Sequence, residues 1–155
     1  MKNVYLAAPE FNEKQKELFD LVKAKLQCNE TVENIFEPLA EENQHNELQF
    51  GSDIWKYTVF QQDIDAIKNS DCVIAIVDFI EKDQEIIPDP GTTWEIGYAY
   101  ALNKPVYLIT EEENPNNKVL NLMIDMGCCS HICLKTLNLY NFNNTYIQRF
   151  NWKSV

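Results

Sequence analysis

Arginine is almost missing from this chain. Arg149 is the single one among 13 basic residues, which face 24 Asp and Glu for a formal net charge of −11. Binding a nucleic-acid backbone takes clustered Lys and Arg that displace counterions, and no such cluster occurs, so nucleic acid is excluded as a partner. The same shortage argues against an anionic membrane surface and against tight phosphate binding. The favoured ligand is small and neutral or cationic. No apolar run approaches the ~18 residues that a membrane span needs. No charged n-region leads into a long apolar stretch, so no secretory leader is expected. Repeats, low-complexity tracts and Pro/Gly/Ser linkers are also lacking over the 155 residues. A single domain over 1–155 is expected, since ~150 residues bury roughly 68–70% of the unfolded surface. Hydrophobic residues make up 45% of the chain, so its acidity does not signal disorder.

The five cysteines (Cys28, Cys72, Cys128, Cys129 and Cys133) are odd in number, and Cys72 sits inside an apolar run. A reduced, cytoplasmic protein is the simplest expectation. Cys128-Cys129-Ser130-His131-Ile132-Cys133 holds soft ligands, but structural zinc draws on two separated ligand pairs and no second pair exists. No metal and no cofactor are expected.

Strand-like and helix-like patterns alternate. Val4 to Ala8 reads as a buried strand stopped by Pro9. Asn12 caps a helix with Phe11, Leu18, Val22 and Leu26 near helical spacing. Val32 to Phe36 predicts a second strand, and Ala40 to Gly51 a polar loop. Asp53 is a candidate cap for a helix whose buried stripe is Trp55, Val59, Ile64 and Ile67. Cys72 to Val77 is continuous and β-branched, as for a parallel strand covered on both faces. Glu81 to Pro90 reads as an acidic loop, Trp94 to Leu102 as a helix and Pro105 to Ile109 as a strand. Val119 to Met126 reads as a short helix, and His131 to Leu134 as the last strand. The pattern predicts an α/β fold: a doubly wound, flavodoxin-like or Rossmann-like sheet of about five mainly parallel strands, with helices on both faces. Ligands in such sheets bind beyond the carboxyl ends of the strands. That rule selects Ala7 to Phe11, Asp78 to Gly91 and Thr110 to Asn121.

Three acids stand in or near these segments: Asp63, Asp89 and Glu95. Asp89 and Glu95 are joined by a Gly-containing turn into a helix, which lets both face one crevice. Gly97, after Glu95-Ile96, is expected to permit close packing against the sheet. Each acid also has a plain reading. Glu95 near a helix start serves the cap or the dipole, Asp63 lies on a solvated face beside Gln61, Gln62 and Asp65, and Asp89 is a loop acid before Pro90.

In combination the chain resembles the nucleoside 2-deoxyribosyltransferase family. The resembling residues are Val4-Tyr5-Leu6-Ala7-Ala8, Gln62-Asp63-Ile64-Asp65-Ala66-Ile67 followed by Ser70-Asp71-Cys72, and Asp89-Pro90-Gly91-Thr92-Thr93-Trp94-Glu95-Ile96-Gly97-Tyr98-Ala99. Asn121-Leu122-Met123 matches the family's Asn-Leu-Met segment. The resemblance implies that Glu95 is a nucleophile attacking C1′ of a 2′-deoxynucleoside while the base leaves, and that a second base then attacks the covalent deoxyribosyl ester. A carboxylate suits an oxocarbenium-like transition state. Tyr5 is implied to orient Glu95 and keep it ionised. Asp63 and Asp89 are implied to line the site, one of them protonating the leaving base. Crowded carboxylates raise one another's pKa, so one is expected to stay protonated near neutrality. Asn121 and Met123 are implied to reach a neighbouring subunit's site, which requires a homo-oligomer; the plain reading of Asn121 is a helix or turn amide. Phe11 is a candidate for stacking on the base or, equally, a core aromatic under the first helix. Gln44 is a candidate for reading a base edge, in a loop whose length differs from the family's. Family members often end on an aromatic residue whose carboxylate approaches the site tyrosine, whereas this chain ends Trp152-Lys153-Ser154-Val155. The implied partners are deoxynucleosides and free nucleobases.

Three rival functions would draw on the same residues. A hydrolase of deoxynucleoside 5′-monophosphates needs a phosphate nest, but Pro9 lacks an N–H and Glu10 repels phosphate. A phospho-receiver domain would use Asp78, but needs an acidic pair after the first strand to hold Mg²⁺, and Ala7-Ala8 stand there. A non-catalytic nucleoside-binding module would keep the fold and use Glu95 only as a ligand.

Overall fold

The computed structural model describes residues 1–38, 40, 45, 47–77, 81–82, 84–111, 118–144, 148–150 and 152–155. Five parallel strands form the main sheet: β1 (Lys2–Ala7), β2 (Val32–Phe36), β3 (Cys72–Ile76), β6 (Val106–Thr110) and β8 (Ser130–Cys133), in the order β2-β1-β3-β6-β8. A second, four-stranded sheet joins β4 (Glu81–Lys82), β5 (Glu85–Ile86), β7 (Val119–Leu120) and β9 (Lys153–Ser154). The sequence pattern misses this sheet because two-residue strands carry no alternation. The stretch from Glu81 to Pro90 is therefore not a plain loop. Val119–Leu120 is strand rather than helix, and β8 is not the last strand.

Three long helices surround the main sheet: α1 (Glu13–Gln27), α2 (Asp53–Asn69) and α3 (Pro90–Ala101). A short α4 (Leu122–Gly127) follows β7. Each cap is a polar side chain meeting the orphan N–H groups of a first turn. Asn12 accepts from Gln15 N, and Ser52 rather than Asp53 accepts from Trp55 N. Phe11 precedes the α1 cap and is left out of the buried stripe, which is Leu18, Phe19, Val22 and Leu26.

Alternation along the strands divides the core. Val4, Leu6, Ile74 and Ile76 pack with α1 on one face. Tyr5, Ala7, Val73, Ala75 and Val77 pack with Ile67 of α2 and with Ile96 and Ala99 of α3 on the other. Full burial of each Leu or Ile contributes roughly 1.5–3 kcal/mol, which makes this register hard to slip. The chain leaves β1 toward β2 on one side and returns to β3 on the other. The crevice beyond β1 and β3 is therefore the switch point where a doubly wound sheet accepts ligands.

Candidate active site

Tyr5 lies on the β1 face turned toward α2 and α3. Its hydroxyl donates to Glu95 Oε1 at 2.5 Å. The α3 helix begins at Pro90, four residues before the predicted start, which moves Glu95 well into the helix and away from any capping role. Asp89 holds the cap instead: its Oδ2 accepts from Gly91 N at 2.8 Å and Thr92 N at 3.1 Å. A Cβ on Gly91 would stand 2.9 Å from that oxygen, so a larger residue there would displace the capping carboxylate.

Asp63 on α2 faces Glu95. The two share the lining of a cavity of about 230 Å³ with Asp89, Gly91, Thr92, Val59, Pro38, Phe11 and the turn Ala8-Pro9-Glu10. They also border a second cavity of about 280 Å³ lined by Phe60, Ile64, Ile67 and Trp94. The reading of Asp63 as a solvated side chain is corrected, because its Oδ1 is buried. Burial pushes the Glu95 carboxyl up to about 7, the Tyr5 bond pulls it down, and the charges of Asp63 and Asp89 push it up again. The crowding expected to raise one acid of the site therefore acts on Glu95 as well. Glu95 itself titrates near neutrality. Burial, then the charges of Glu95 and Asp63, hold the Tyr5 phenol far above its usual value, so it serves as a donor rather than a phenolate.

Phe11 is not a core aromatic: it is 76% exposed and belongs to the cavity lining. Gln44 and Asp78 lie outside the described residues. Asn121 caps α4, its Oδ1 accepting from Met123 N at 2.9 Å. Met123 is 78% exposed, and neither residue lines the cavity around Glu95. Among the described residues the predicted third segment, Thr110 to Asn121, adds nothing to that lining. Gly97 does not support close packing either: nothing lies within 4 Å of its Cβ position, and it opens onto an apolar groove with Tyr100 and Met123. At the C-terminus, the Val155 carbonyl accepts from Leu122 N at 2.9 Å, at the start of α4 rather than beside Tyr5. Pro38, Val59, Phe60 and Trp94 were not anticipated as site residues. A signal for Trp94 and Phe60 was present, as large aromatics placed beside acids on half-exposed helix faces.

The soft-ligand cluster gains a member through the fold, since Asp125, Cys128 and His131 bring ligand atoms within 4.8 Å of one another. The donor set does not suit a metal. His131 Nδ1 accepts from Phe150 N at 2.7 Å and Trp152 Nε1 at 3.0 Å, so the proton sits on Nε2, facing Asp125 Oδ1 at 3.1 Å. The Arg149 guanidinium stands 3.6 Å from the same carboxylate oxygen. This is a buried clasp for the C-terminal segment. The five cysteines are free thiols. Among the described residues no helix is long and apolar enough to cross a membrane.

The Tyr5 donor, half-buried Glu95 and the two aspartates that share its cavity thus stand together at the switch point. The model for nucleoside 2-deoxyribosyltransferases matches residues 4–123. The chain belongs to the nucleoside 2-deoxyribosyltransferase family. A nucleoside deoxyribosyltransferase of Limosilactobacillus fermentum is 27% identical over 157 residues, covering 95% of this chain and 90% of the relative. The solved 2-deoxyribosyltransferase of the psychrotolerant bacterium Bacillus psychrosaccharolyticus is 30% identical, with a TM-score of 0.74 over 96% of this chain and 98% of the other. A conserved protein from Enterococcus faecalis shares the fold at 21% identity and a TM-score of 0.60, covering 90% and 96% of the two chains. Family membership covers Tyr5, Asp63, Asp89 and Glu95 within one matched span.

Proposed function

We propose that the chain transfers the 2-deoxyribosyl group of a 2′-deoxynucleoside to another purine or pyrimidine base, through an ester on Glu95. The observation that carries this reading is the Tyr5–Glu95 hydrogen bond at the foot of a cavity flanked by Asp63 and Asp89. A Glu95 carboxylate oxygen attacks C1′. The C1′–N bond breaks, its electron pair stays with the base nitrogen, and a carboxylic acid supplies the proton. The attacking nitrogen of the second base then displaces Glu95 from C1′ and returns its proton to that acid. Two inversions give net retention. Asp63, which shares the cavity with Glu95 and whose charge acts on it, is assigned the proton-transfer role.

The lining supports an unphosphorylated substrate. Pro9 and Pro38 have no N–H, the Phe11 N–H is bound to Gln15 Oε1 at 2.8 Å, and those of Gly91 and Thr92 are bound to Asp89. Among the described residues no arginine lines the cavity, and a phosphate would meet acceptors where it needs donors. Family resemblance supports a homo-oligomer in which Asn121 and Met123 complete a neighbour's site. Intact-protein mass spectrometry during turnover tests the ester: a deoxyribosyl adduct mapping to Glu95 supports it. Free deoxyribose with no new nucleoside and no adduct would instead indicate direct hydrolysis.

A further inference from the structure

The cavity has two ends of different chemistry. Asp63, Asp89 and Glu95 form the reacting end, where their fields act on one another. The turn after β1 forms the other, with Phe11, Pro38 and Val59 as apolar cover and Glu10 as the polar side chain among the described residues. Glu10 is carried by the turn after β1, whereas the three reacting acids are carried by α2 and the start of α3; burial and the charges of Asp20 and Glu37 push its carboxyl up, and Lys23 and Lys16 pull it down. Of the two lysines acting on it, Lys23 is already paired with Glu37 at 2.7 Å. A base attached at C1′ needs apolar cover for its faces, and this end supplies it. The base edge then arrives at a carboxylate in a lining where Pro9 and Pro38 have no N–H and the Phe11 N–H is committed to Gln15.

We propose that Glu10 is a specificity-determining residue that accepts a hydrogen bond from an exocyclic amino group, selecting amino-bearing bases such as adenine over carbonyl analogues such as hypoxanthine. The inference deepens the deoxyribosyl-transfer reading and rests on it for the orientation of the base. A site with a committed acceptor rejects an analogue that presents another acceptor at the same place, because neither group is then satisfied. Glu10 is half-buried, which leaves it reachable by a ligand while giving its hydrogen bond more weight than a fully solvated one.

The test supplies equimolar adenine and hypoxanthine with 2′-deoxyguanosine, a donor that both a purine-restricted and a broad enzyme accept, and measures the ratio of deoxyadenosine to deoxyinosine. Wild type should favour adenine by about tenfold, the effect of one charge-assisted hydrogen bond. Glu10→Gln keeps the size and replaces one acceptor oxygen by a donor, so the ratio should fall to about one or below. Glu10→Ala should also lose the preference. Calorimetric binding of each free base to the same three full-length proteins reads the preference without chemistry. If wild type binds adenine more tightly, Glu10→Gln abolishes that difference, and no exchange occurs, the Glu10 assignment stands and the transfer reading fails. If exchange occurs and both variants keep the wild-type ratio within about twofold, the Glu10 assignment is overturned. A Glu10→Gln protein that keeps its base ratio but admits deoxynucleoside 5′-monophosphates overturns it as well, by placing the sugar end at Glu10.

Discussion

On the transfer reading Glu95 must ionise in a half-buried place, and the Tyr5 hydrogen bond favours its charged form. Replacing Glu95 by Gln should lower exchange by at least about 10³-fold, since the amide neither attacks C1′ nor forms the ester. Tyr5→Phe should cost about tenfold and move the acidic limb of the pH–rate profile upward, because the lost bond is the one that pulls the Glu95 carboxyl down from burial. An unchanged limb would mean that Tyr5 does not hold Glu95. Part of this was legible in the residues, since the acid in Glu95-Ile96-Gly97-Tyr98-Ala99 stands out against its apolar neighbours, whereas Tyr5 was pointed to only by the family resemblance. The titration of Glu95 was not legible, because burial follows from how far α3 extends rather than from spacing.

The start of α3 sets that extent. Pro90 occupies a first helical position, where a missing N–H costs nothing, and Asp89 ahead of it caps the turn. The usual signals of cap and proline were present, but Gly91-Thr92-Thr93 read as loop residues, so the helix was expected four residues late. That difference moves Glu95 out of the cap and makes Asp89 the capping acid. Gly91→Ala should drive a Cβ against Asp89 Oδ2 and cost about 1 kcal/mol of stability, the scale of a lost cap, measured by denaturant unfolding. Because Asp89 lines the cavity, exchange should fall alongside. A fully active Gly91→Ala protein would show that cap and site are uncoupled. The second sheet was illegible for a different reason: β7 and β9 hold two residues each and pair distant segments, and no local pattern encodes such a contact.

Over the whole molecule, two groups oppose each other in pH: half-buried Glu95 and buried His131. Glu95 is raised from 4.5 to about 7, so the folded state holds a proton that the unfolded state has released; the resulting stability is full below pH 4.5 and lost as pH rises through about 7. His131 is lowered from 6.5 to about 4, chiefly by burial; its neutral form fastens the C-terminal segment, and that stability is full above pH 6.5 and lost as pH falls through about 4. Each spans roughly 3 kcal/mol, and the two slopes cancel over most of the shared window. Glu95→Gln should therefore unmask a stability that climbs between pH 4.5 and 6.5, read by urea unfolding; a pH-independent variant would contradict the His131 clasp. Assembly has its own test. Asn121→Ser keeps a capping oxygen for α4 and removes the amide, and as a pure protein it should be nearly inactive. Mixing and reassembling it with Glu95→Gln should return part of the wild-type rate if sites are shared between subunits. No recovery would mean that each subunit is catalytically complete. The central claim is tested most directly by base exchange. Wild-type protein given thymidine or 2′-deoxyguanosine together with adenine should form deoxyadenosine and release the original base in equal amounts, and Glu95→Gln should form none. Deoxyribose released without a new nucleoside, or exchange retained by Glu95→Gln, would contradict the account.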